Sequence, residues 1–248
     1  MIPKIVHLCW LSGDPYPDLI RQCVDSWSRH LPDYEIRLWD AASIGDDFPQ
    51  WVSEATSVRK YAFAADFIRL YALYNLGGIY LDADVQIVGS LNSFLTAQSF
   101  MGRETGGDLE PAVIGAVPGQ PWIKSCLDYY VDRPFLLADG KMDTKPLPVI
   151  VGETLESAYG LDLTARSEIV RYDEIGLTLY PDDFFSPKNR FSGKVNLSSN
   201  TVAIHHFDGQ WVEKGTAFYL KNTIHAGLLR TFGSDRYISI RDKIRKLK

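Results

Sequence analysis

The sequence predicts an α/β fold in which a mostly parallel central sheet is flanked by helices. Short apolar segments typical of strands alternate along the chain with longer segments whose apolar residues recur at helical spacing. A strand, a helix and a second strand follow one another within residues 4–38, which is the spacing of a parallel βαβ unit. The segment 79–84 is a short apolar strand that ends in two carboxylates, at the position where open α/β sheets bind ligands.

Three consecutive patterns predict the first βαβ unit. Residues 4–8 read as a strand, and Asp18 is expected to cap the helix that follows. The apolar residues of that helix fall on one face: Leu19, Ile20, Cys23, Val24 and Trp27. Tyr34, Ile36 and Leu38 then alternate as in a second strand.

A long helix and a short buried strand come next. Residues 55–76 are rich in Ala, Leu and Tyr, and Gly77 is expected to end this helix. Residues 79–81 are apolar throughout and are expected to form a buried strand that leads to Asp82 and Asp84.

The rest of the chain is predicted to continue the same architecture. Further strands are expected around Phe100 and at 113–117, 168–172, 177–180 and 201–206. Helices are expected at 122–130 and from about 216 to 230, and residues 132–152, rich in Pro, Asp and Lys, are expected to be irregular. Because no repeat or linker interrupts the chain, we expect one domain over residues 1–235 and a basic, amphipathic tail at 236–248.

The composition is that of a soluble protein and excludes several classes. Hydrophobic residues make up 46% and charged residues 23% of the chain, and no stretch approaches the roughly 20 apolar residues of a membrane helix. The formal net charge of −5 argues against a nucleic-acid-binding protein. The chain starts directly in a strand, so no signal peptide is expected, and three cysteines without metal-ligand spacing suggest reduced thiols in the cytoplasm.

The two acids of Asp82-Ala83-Asp84 follow the predicted strand at 79–81. Separated by one residue, they point the same way if the extended backbone continues, and they repel each other unless a cation lies between them. Carboxylate oxygens suit Mg²⁺ or Mn²⁺, and such an ion commonly bridges to substrate phosphates. A solvated surface turn is the alternative, but the apolar strand before the acids favours a metal site at the edge of a buried sheet.

Asp66 and Arg69 lie three residues apart on the predicted long helix and can touch. Their apolar neighbours imply burial, and a buried ion pair is a poor device for stability. We therefore favour a functional role over a surface salt bridge. Arg69 could hold phosphate or sugar hydroxyls, and Asp66 could accept from sugar or ribose hydroxyls.

Aromatic and histidine side chains at two further strand ends are candidate ligands. Trp10, at the end of His7-Leu8-Cys9-Trp10, is either a core residue or a platform for a nucleobase. His205 and His206 point to opposite faces of their strand, so one of them is expected to face inward as a third metal ligand or a diphosphate contact. Trp211 follows in a short glycine-containing loop and would then donate its indole N–H to the diphosphate.

Three segments together resemble glycosyltransferase family 32, the group with a sugar-binding region containing the DXD motif. They are Ile2-Pro3-Lys4-Ile5-Val6-His7-Leu8-Cys9-Trp10, Ala65-Asp66-Phe67-Ile68-Arg69-Leu70-Tyr71 and Gly77-Gly78-Ile79-Tyr80-Leu81-Asp82-Ala83-Asp84. The pattern is also similar to that of the glucosylating domains of the large clostridial toxins. The resemblance is strongest over residues 1–90 and resumes at 203–211. It implies a GT-A fold, a nucleotide-sugar donor, a divalent metal and retention of the anomeric configuration.

The resemblance also implies a role for each motif residue. Trp10 would stack on the base of the donor, and His7 is grouped with it in donor binding. Asp66 and Arg69 would bind the donor sugar or its phosphates.

Around the acid pair, the resemblance implies a nucleoside and metal site. Tyr80 and Asp82 would contact the nucleoside, with Asp82 meeting the metal directly or through water. Asp84 would ligate the metal directly. The spacing to Trp211, the implied diphosphate contact, favours His205 over its neighbour as the histidine ligand.

The sequence therefore predicts a metal-dependent, retaining hexosyltransferase of bacterial surface-polysaccharide synthesis. A UDP-sugar is favoured over a GDP-sugar as donor, Mn²⁺ or Mg²⁺ is the expected cofactor, and the acceptor is expected to be a glycan, in one interpretation lipid-linked. The residues expected to carry the reaction are Asp66, Arg69, Asp82 and Asp84. No catalytic base is assigned, and Glu153 and Asp208 are candidates only.

A cytoplasmic location with peripheral contact to the inner membrane leaflet is expected. The tail at 236–248 holds six Lys/Arg and one Asp, and Ile240, Ile244 and Leu247 fall on one face of a helix. A solvated helix packed on the acidic body of the domain is an equal alternative.

Two other functions stay open at this stage. A non-catalytic nucleotide-sugar or glycan-binding module would need a broken metal site, whereas this chain keeps both acids, the arginine and a histidine. A metal-dependent nucleotidyltransferase is the other, although the chain has no glycine-rich phosphate loop of the G-x-x-x-x-G-K type.

Overall fold

The computed structural model describes residues 1–45, 48–209, 227, 228 and 231. Trp211, the tail at 236–248 and most of the helix predicted at 216–230 lie outside these residues. No helix in the described part of the chain is both long enough and apolar enough to cross a bilayer.

A mixed seven-stranded sheet forms the centre of the molecule. The strands of the described residues are β1 (Ile5–Cys9), β2 (Glu35–Trp39), β3 (Gly78–Leu81), β4 (Val85–Ile87), β5 (Ser99–Arg103), β6 (Leu109–Ala116), β7 (Val170–Tyr172), β8 (Leu177–Tyr180) and β9 (Ala203–His205). The order in the large sheet is β2-β1-β3-β6-β5-β8-β7, and β4 pairs with β9 in a second, two-stranded sheet. Five of the seven strands run in one direction, and β6 and β7 run against them, so the mostly parallel sheet is confirmed.

Helices cover both faces of this sheet. They are α1 (Asp18–His30), α2 (Gln50–Ser57), α3 (Tyr61–Leu76), α4 (Pro121–Asp128), α5 (Leu147–Tyr159) and the single turn α6 (Asp182–Phe185). Because α1 connects the parallel strands β1 and β2, the predicted βαβ unit is also confirmed.

Alternation along β3 decides which side chains meet which helices. Ile79 and Leu81 belong to the buried cluster that contains Trp27 of α1. Tyr80 belongs to the cluster on the opposite face, which contains Leu70 of α3. Side chains two residues apart on a strand share a face, so the end of β3 carries Tyr80 toward α3.

One long helix was predicted at 55–76, and the structure instead has α2 and α3 with a turn between them. Arg59 is left-handed, with φ of 58°. The Lys60 N–H donates to the Ala55 carbonyl oxygen at 2.8 Å and the Arg59 N–H to the Thr56 carbonyl oxygen at 3.0 Å, which is a Schellman helix end. Glycine usually occupies that left-handed position, so an arginine there gave no stop signal in the sequence.

The predicted irregular stretch at 132–152 and the predicted helix cap at Asp18 also need correction. Residues 147–152 belong to α5, because the prolines that suggested irregular structure stand at the helix start, where no backbone N–H is needed. At α1 the capping position is Pro17. Asp18 is the first helical residue, and no side chain makes a capping hydrogen bond there.

Gly77 and Gly78 bring the end of α3 close to β1 and to the residues at and just after the end of β6. Their φ angles are 64° and 106°, which side chains rarely adopt. A Cβ atom on Gly77 would lie 2.6 Å from Pro118 Cδ, and one on Gly78 would lie 2.6 Å from the Ile5 carbonyl oxygen. The glycine pair therefore permits the sharp passage from α3 into the middle of the sheet.

Candidate active site

The two acids lie in a turn rather than in an extended strand. The Asp82 N–H donates to the Ala112 carbonyl oxygen at 2.9 Å, and the Val85 N–H donates back to the Asp82 carbonyl oxygen at 2.9 Å. The second bond closes a β-turn, so the extended backbone on which the shared direction of the acids was predicted does not continue. The turn itself makes the side chains converge, and ligand atoms of Asp82, Asp84 and His205 all lie within 4.8 Å of one another.

Arg69 ties α3 to this turn. Its side chain is 7% exposed, and Nη2 lies 3.2 Å from Asp66 Oδ1 and 3.1 Å from Asp82 Oδ1. Nη1 donates to the Pro111 carbonyl oxygen at 2.9 Å. The guanidinium lies 4.5 Å from the centroid of the Tyr80 ring, and the Tyr80 hydroxyl donates to Asp82 Oδ1 at 3.1 Å. The geometry therefore has Arg69 fix the position of Asp82.

Asp66 and Asp82 are held in an environment that disfavours their charge. Burial raises the pKa of Asp66 to about 7, although Arg69 opposes the shift. Burial likewise raises the pKa of Asp82, and Arg69 again opposes it. The Asp82 side chain is 26% exposed and that of Asp66 14%, so Asp82 is the more open of the two toward a ligand.

His205 approaches the acids from β9. Val85, directly after the acid pair, lies opposite His205 in the antiparallel register of β4 and β9. His205 Nε2 lies 3.3 Å from Asp84 Oδ1, whereas His206 Nε2 lies 3.0 Å from Gln86 Oε1. Of the two histidines, His205 is thus the one that faces the acid pair.

The His205 imidazole supplies a positive charge beside the acid pair. Burial lowers the pKa of His205, but the carboxylates of Asp84 and Glu110 outweigh it and hold this pKa well above its usual range. Burial raises the pKa of Asp84, but protonated His205 and the Asp208 N–H bring it down to about 2. A positive charge is therefore stable at the point where the two acids and the imidazole meet.

These residues fit a divalent metal ion. Two carboxylates and one imidazole can each offer one ligand atom. Three protein ligands leave coordination positions for other groups, and this oxygen-rich donor set suits a divalent cation. His205 directs Nε2 toward Asp84, whereas its other ring nitrogen, Nδ1, is buried without a hydrogen bond among the described residues.

Trp10 and His7 have different surroundings. Trp10 is half-buried, donates its indole N–H to the Asp14 carbonyl oxygen at 2.7 Å and packs edge-on against Tyr16 at 5.0 Å. His7 is fully buried, with Nε2 2.7 Å from the Gly77 carbonyl oxygen and Nδ1 accepting from Trp39 Nε1 at 3.2 Å. Because both ring nitrogens of His7 are used within the protein, we leave it out of the candidate donor site. Trp10 stays in it.

The two candidate bases lie in different places. Glu153 is on α5, has a side chain that is 58% exposed and pairs with Lys145. Asp208 lies beside the acid pair, where its backbone N–H donates to Asp84 Oδ2 at 2.8 Å. Among the described residues Glu153 thus pairs with Lys145 on an exposed helix surface, and of the two candidates Asp208 is the one that contacts the site.

Glu110 is a further residue of the site, outside the motifs that predicted it from the sequence. Its carboxylate is buried, with Oε2 3.5 Å from His205 Nδ1 and Oε1 accepting from the Ala112 N–H at 3.2 Å. A signal was present, because Glu110 is the one charged residue of the strand Leu109–Ala116. A charge inside a buried strand requires a partner.

The family resemblance drawn from the motifs is confirmed. The family model described as "Glycosyltransferase sugar-binding region containing DXD motif" matches residues 17–101, a segment that includes Asp66, Arg69, Asp82 and Asp84.

Curated relatives match about half of the chain. Inositol phosphoceramide mannosyltransferase 3 of Schizosaccharomyces pombe is 31% identical over 129 residues, which cover 49% of this chain and 35% of that protein. Mannosyl phosphorylinositol ceramide synthase CSH1 of Saccharomyces cerevisiae is 30% identical over 140 residues, covering 52% of this chain and 36% of that protein. The match thus spans about a third of the length of these relatives.

A solved structure shares the fold. PaToxG Glycosyltransferase superimposes with a TM-score of 0.51 at 21% identity, covering 65% of this chain and 71% of that one. With the mixed sheet and its flanking helices, this confirms the expected GT-A fold.

Proposed function

We propose that the chain is a metal-assisted glycosyltransferase that moves a hexosyl group from a nucleoside diphosphate sugar to an acceptor hydroxyl. The observation that carries the proposal is the convergence of Asp82, Asp84 and His205 next to the buried Arg69 network at the carboxyl end of β3. This site lies where α/β sheets bind ligands, in a fold shared with a glycosyltransferase.

The three converging side chains would hold Mn²⁺ or Mg²⁺. The bound ion would supply Lewis-acid stabilisation of the charge that develops on a departing diphosphate. Arg69 keeps the Asp82 carboxylate in position from behind, and the Asp208 N–H does the same for Asp84. Such preorganised groups need no rearrangement as charge develops.

Binding of the donor would use groups around this centre. Trp10, half-buried at the end of β1, offers an aromatic face for the base. Asp82 contacts the nucleoside in this proposal, the fully buried Tyr80 orients that carboxylate through the hydroxyl bond to Asp82 Oδ1, and Asp66 accepts from a sugar or ribose hydroxyl. Trp211, outside the described residues, is proposed as an indole donor to the diphosphate.

The transfer is proposed to retain the anomeric configuration without a protein base. Four acidic side chains of the site are already engaged, Asp66 and Asp82 by Arg69 and Asp84 and Glu110 by His205, and Asp208 contacts the site through its backbone N–H. A leaving diphosphate oxygen on the same face of the sugar would take the acceptor proton. The protein then contributes positioning and electrostatics.

The donor and acceptor are proposed as classes. The names of the relatives mention mannosyl transfer and inositol phosphoceramide, which makes a mannosyl donor one arm of the test, beside the UDP-sugar predicted from the sequence. For the acceptor we retain a glycan of surface-polysaccharide synthesis, lipid-linked at the inner leaflet. The basic tail at 236–248 would make peripheral contact with that leaflet from the cytoplasm.

A donor panel tests the proposal. The full chain is incubated with UDP-glucose, UDP-galactose, UDP-N-acetylglucosamine or GDP-mannose, with MnCl₂ or with EDTA, and the released nucleotide and sugar are separated by chromatography. We expect slow release of a nucleoside diphosphate and sugar from one donor, abolished by EDTA. Release unaffected by EDTA would refute metal assistance. Release of sugar 1-phosphate would instead identify a nucleotidyltransferase, which breaks the bond between the α-phosphorus and the bridging oxygen.

A further inference from the structure

Three consecutive residues of β6 each contact one part of the candidate metal site. The Pro111 carbonyl oxygen accepts from Arg69 Nη1 at 2.9 Å, and the Ala112 carbonyl oxygen accepts from the Asp82 N–H at 2.9 Å. Glu110, the residue before them, directs Oε2 toward His205 Nδ1 at 3.5 Å. This segment of β6 therefore contacts both the Arg69–Asp82 pair and the His205 imidazole.

The carboxylate of Glu110 is buried, and its two oxygens face different groups. The residue is 9% exposed, and Oε1 accepts from the Ala112 N–H, which fixes the orientation of the carboxylate. Its other oxygen lies beside a buried imidazole nitrogen that has no hydrogen bond within the described residues. A buried carboxylate and a buried unsatisfied ring nitrogen are each costly alone, which favours a functional pairing.

The opposite side of the imidazole is also restrained. The Phe207 ring packs on His205 with centroids 4.0 Å apart and an interplanar angle of 39°. Phe207 adopts φ of 52°, a left-handed conformation that is strained for a bulky residue. Strained backbone clusters at functional sites, where neighbouring structure holds it in place.

We propose that Glu110 is a positioning residue for His205, whose Nδ1–H it accepts so that the Nε2 lone pair faces Asp84 and the cation. The inference rests on the proposed metal site and adds a residue to it. In a neutral imidazole one nitrogen carries the proton and the other is the ligand, so the acceptor at Nδ1 decides which nitrogen can bind metal. Carboxylate partners of this kind are common among metal-binding histidines.

Glu110 does not belong among the ligands themselves. The described ligand atoms that lie within 4.8 Å of one another come from Asp82, Asp84 and His205, without Glu110. Its nearest contact in the site is the far ring nitrogen of His205. Its hydrogen-bonding effect on the ligand set therefore passes through the imidazole.

Two variants of matched size isolate the acceptor oxygen. Glu110→Met and Glu110→Gln both remove the negative charge, but only Gln keeps an acceptor for Nδ1–H. Mn²⁺ affinity of the full chain is measured at pH 7.5 by calorimetry, after circular dichroism confirms folding. We expect Glu110→Met to lose about 10–100-fold in affinity, the range for loss of such partners, and Glu110→Gln to lose clearly less.

The same pair in a His205→Ala background completes the test. There we expect the two variants to bind Mn²⁺ equally, because the group through which Glu110 acts is gone. Equal losses in the His205-containing chain, or an unchanged difference without His205, would overturn the proposal. If the unsubstituted chain binds no Mn²⁺, both the proposed metal site and the role of Glu110 are refuted. If it binds Mn²⁺ and the two variants do not differ, only the role of Glu110 is refuted.

The protonated nitrogen of His205 can also be identified in the unsubstituted chain, so this test does not depend on the folding of a variant. In the Mg²⁺-loaded protein, nitrogen-15 NMR of the histidine side chains is expected to show His205 protonated at Nδ1. A His205 ring protonated at Nε2 would contradict the role of Glu110.

Discussion

At the scale of single residues, either a protonated histidine or a metal ion can balance the negative charge of the acid pair. Protonated His205 stabilises Asp84, so an ion bound at the proposed metal site would have to displace a proton. The same residues would thus be stable with either the histidine proton or a bound ion. The positive charge of His205 explains how two acids separated by one residue are stable in a buried turn without a bound ligand.

Asp84→Asn is expected to weaken Mn²⁺ binding by more than tenfold and to abolish metal-dependent release of nucleotide, while the chain stays folded. The amide keeps an oxygen for the Asp208 N–H but loses the charge that attracts the cation. Calorimetry and the donor panel measure both effects. Asp25→Asn, an exposed change on α1, is the control and should behave as the unsubstituted chain. Full activity of Asp84→Asn would remove Asp84 from the proposed metal site.

Trp10→Ala is expected to weaken binding of UDP or GDP in the presence of Mn²⁺ by about 1–3 kcal/mol, the range for base–aromatic stacking. Trp10→Phe keeps an aromatic face and should lose less, although it lacks the indole donor to the Asp14 carbonyl oxygen. Fluorescence or calorimetric titration gives the affinities. A large drop in Tm with unchanged nucleotide affinity would instead identify Trp10 as a core residue.

At the scale of elements, the passage from α3 into β3 carries the site. α3 contributes Asp66 and Arg69, β3 contributes Tyr80, and the glycine pair sets how closely the two elements approach. Gly78→Ala is expected to destabilise the chain by about 2–4 kcal/mol. The added Cβ atom would clash with the Ile5 carbonyl oxygen, and the φ of 106° is itself unfavourable for alanine.

Gly119→Ala is the matched control for that substitution. Gly119 also has a positive φ, 75°, but a Cβ atom there would meet nothing within 4 Å. It should therefore lose only the backbone term, about 1–2 kcal/mol. Urea unfolding of both variants measures the difference. Equal losses would show that the close approach at Gly78 is not what limits the packing of α3 on the sheet.

The elements also show what the sequence could predict. Strands and helices with a clear period were placed to within a few residues, and so was the carboxyl-end location of Asp82 and Asp84. The break at Arg59 was missed because a Schellman end is set by backbone conformation, and the residue there is not glycine. Glu110 was missed because its partner, His205, is distant in sequence and reaches it only through the pairing of β4 with β9.

At the scale of the whole molecule, several buried ionisable groups shift the stability in the same direction. Burial raises the pKa of Asp66 and of Glu104 to about 7, and neighbouring carboxylates raise that of His205 well above its usual range despite burial. Each of these groups holds a proton more tightly in the folded chain than in the unfolded chain. Their stabilising contributions are complete below the unfolded pKa values and are lost as pH rises through the folded ones.

The free energy of unfolding of the metal-free chain is therefore expected to fall between pH 5 and pH 8. Glu104 alone can account for up to about 3 kcal/mol of this, since a shift of one pKa unit corresponds to about 1.4 kcal/mol. Glu104→Gln should flatten the dependence without abolishing it. Mn²⁺ should raise the stability more at pH 8 than at pH 5, because at pH 5 a proton competes for His205. Urea unfolding at both pH values, with EDTA or MnCl₂, measures all three effects. A metal-free stability that is constant or rises over this range would show that these groups do not titrate as the folded structure requires.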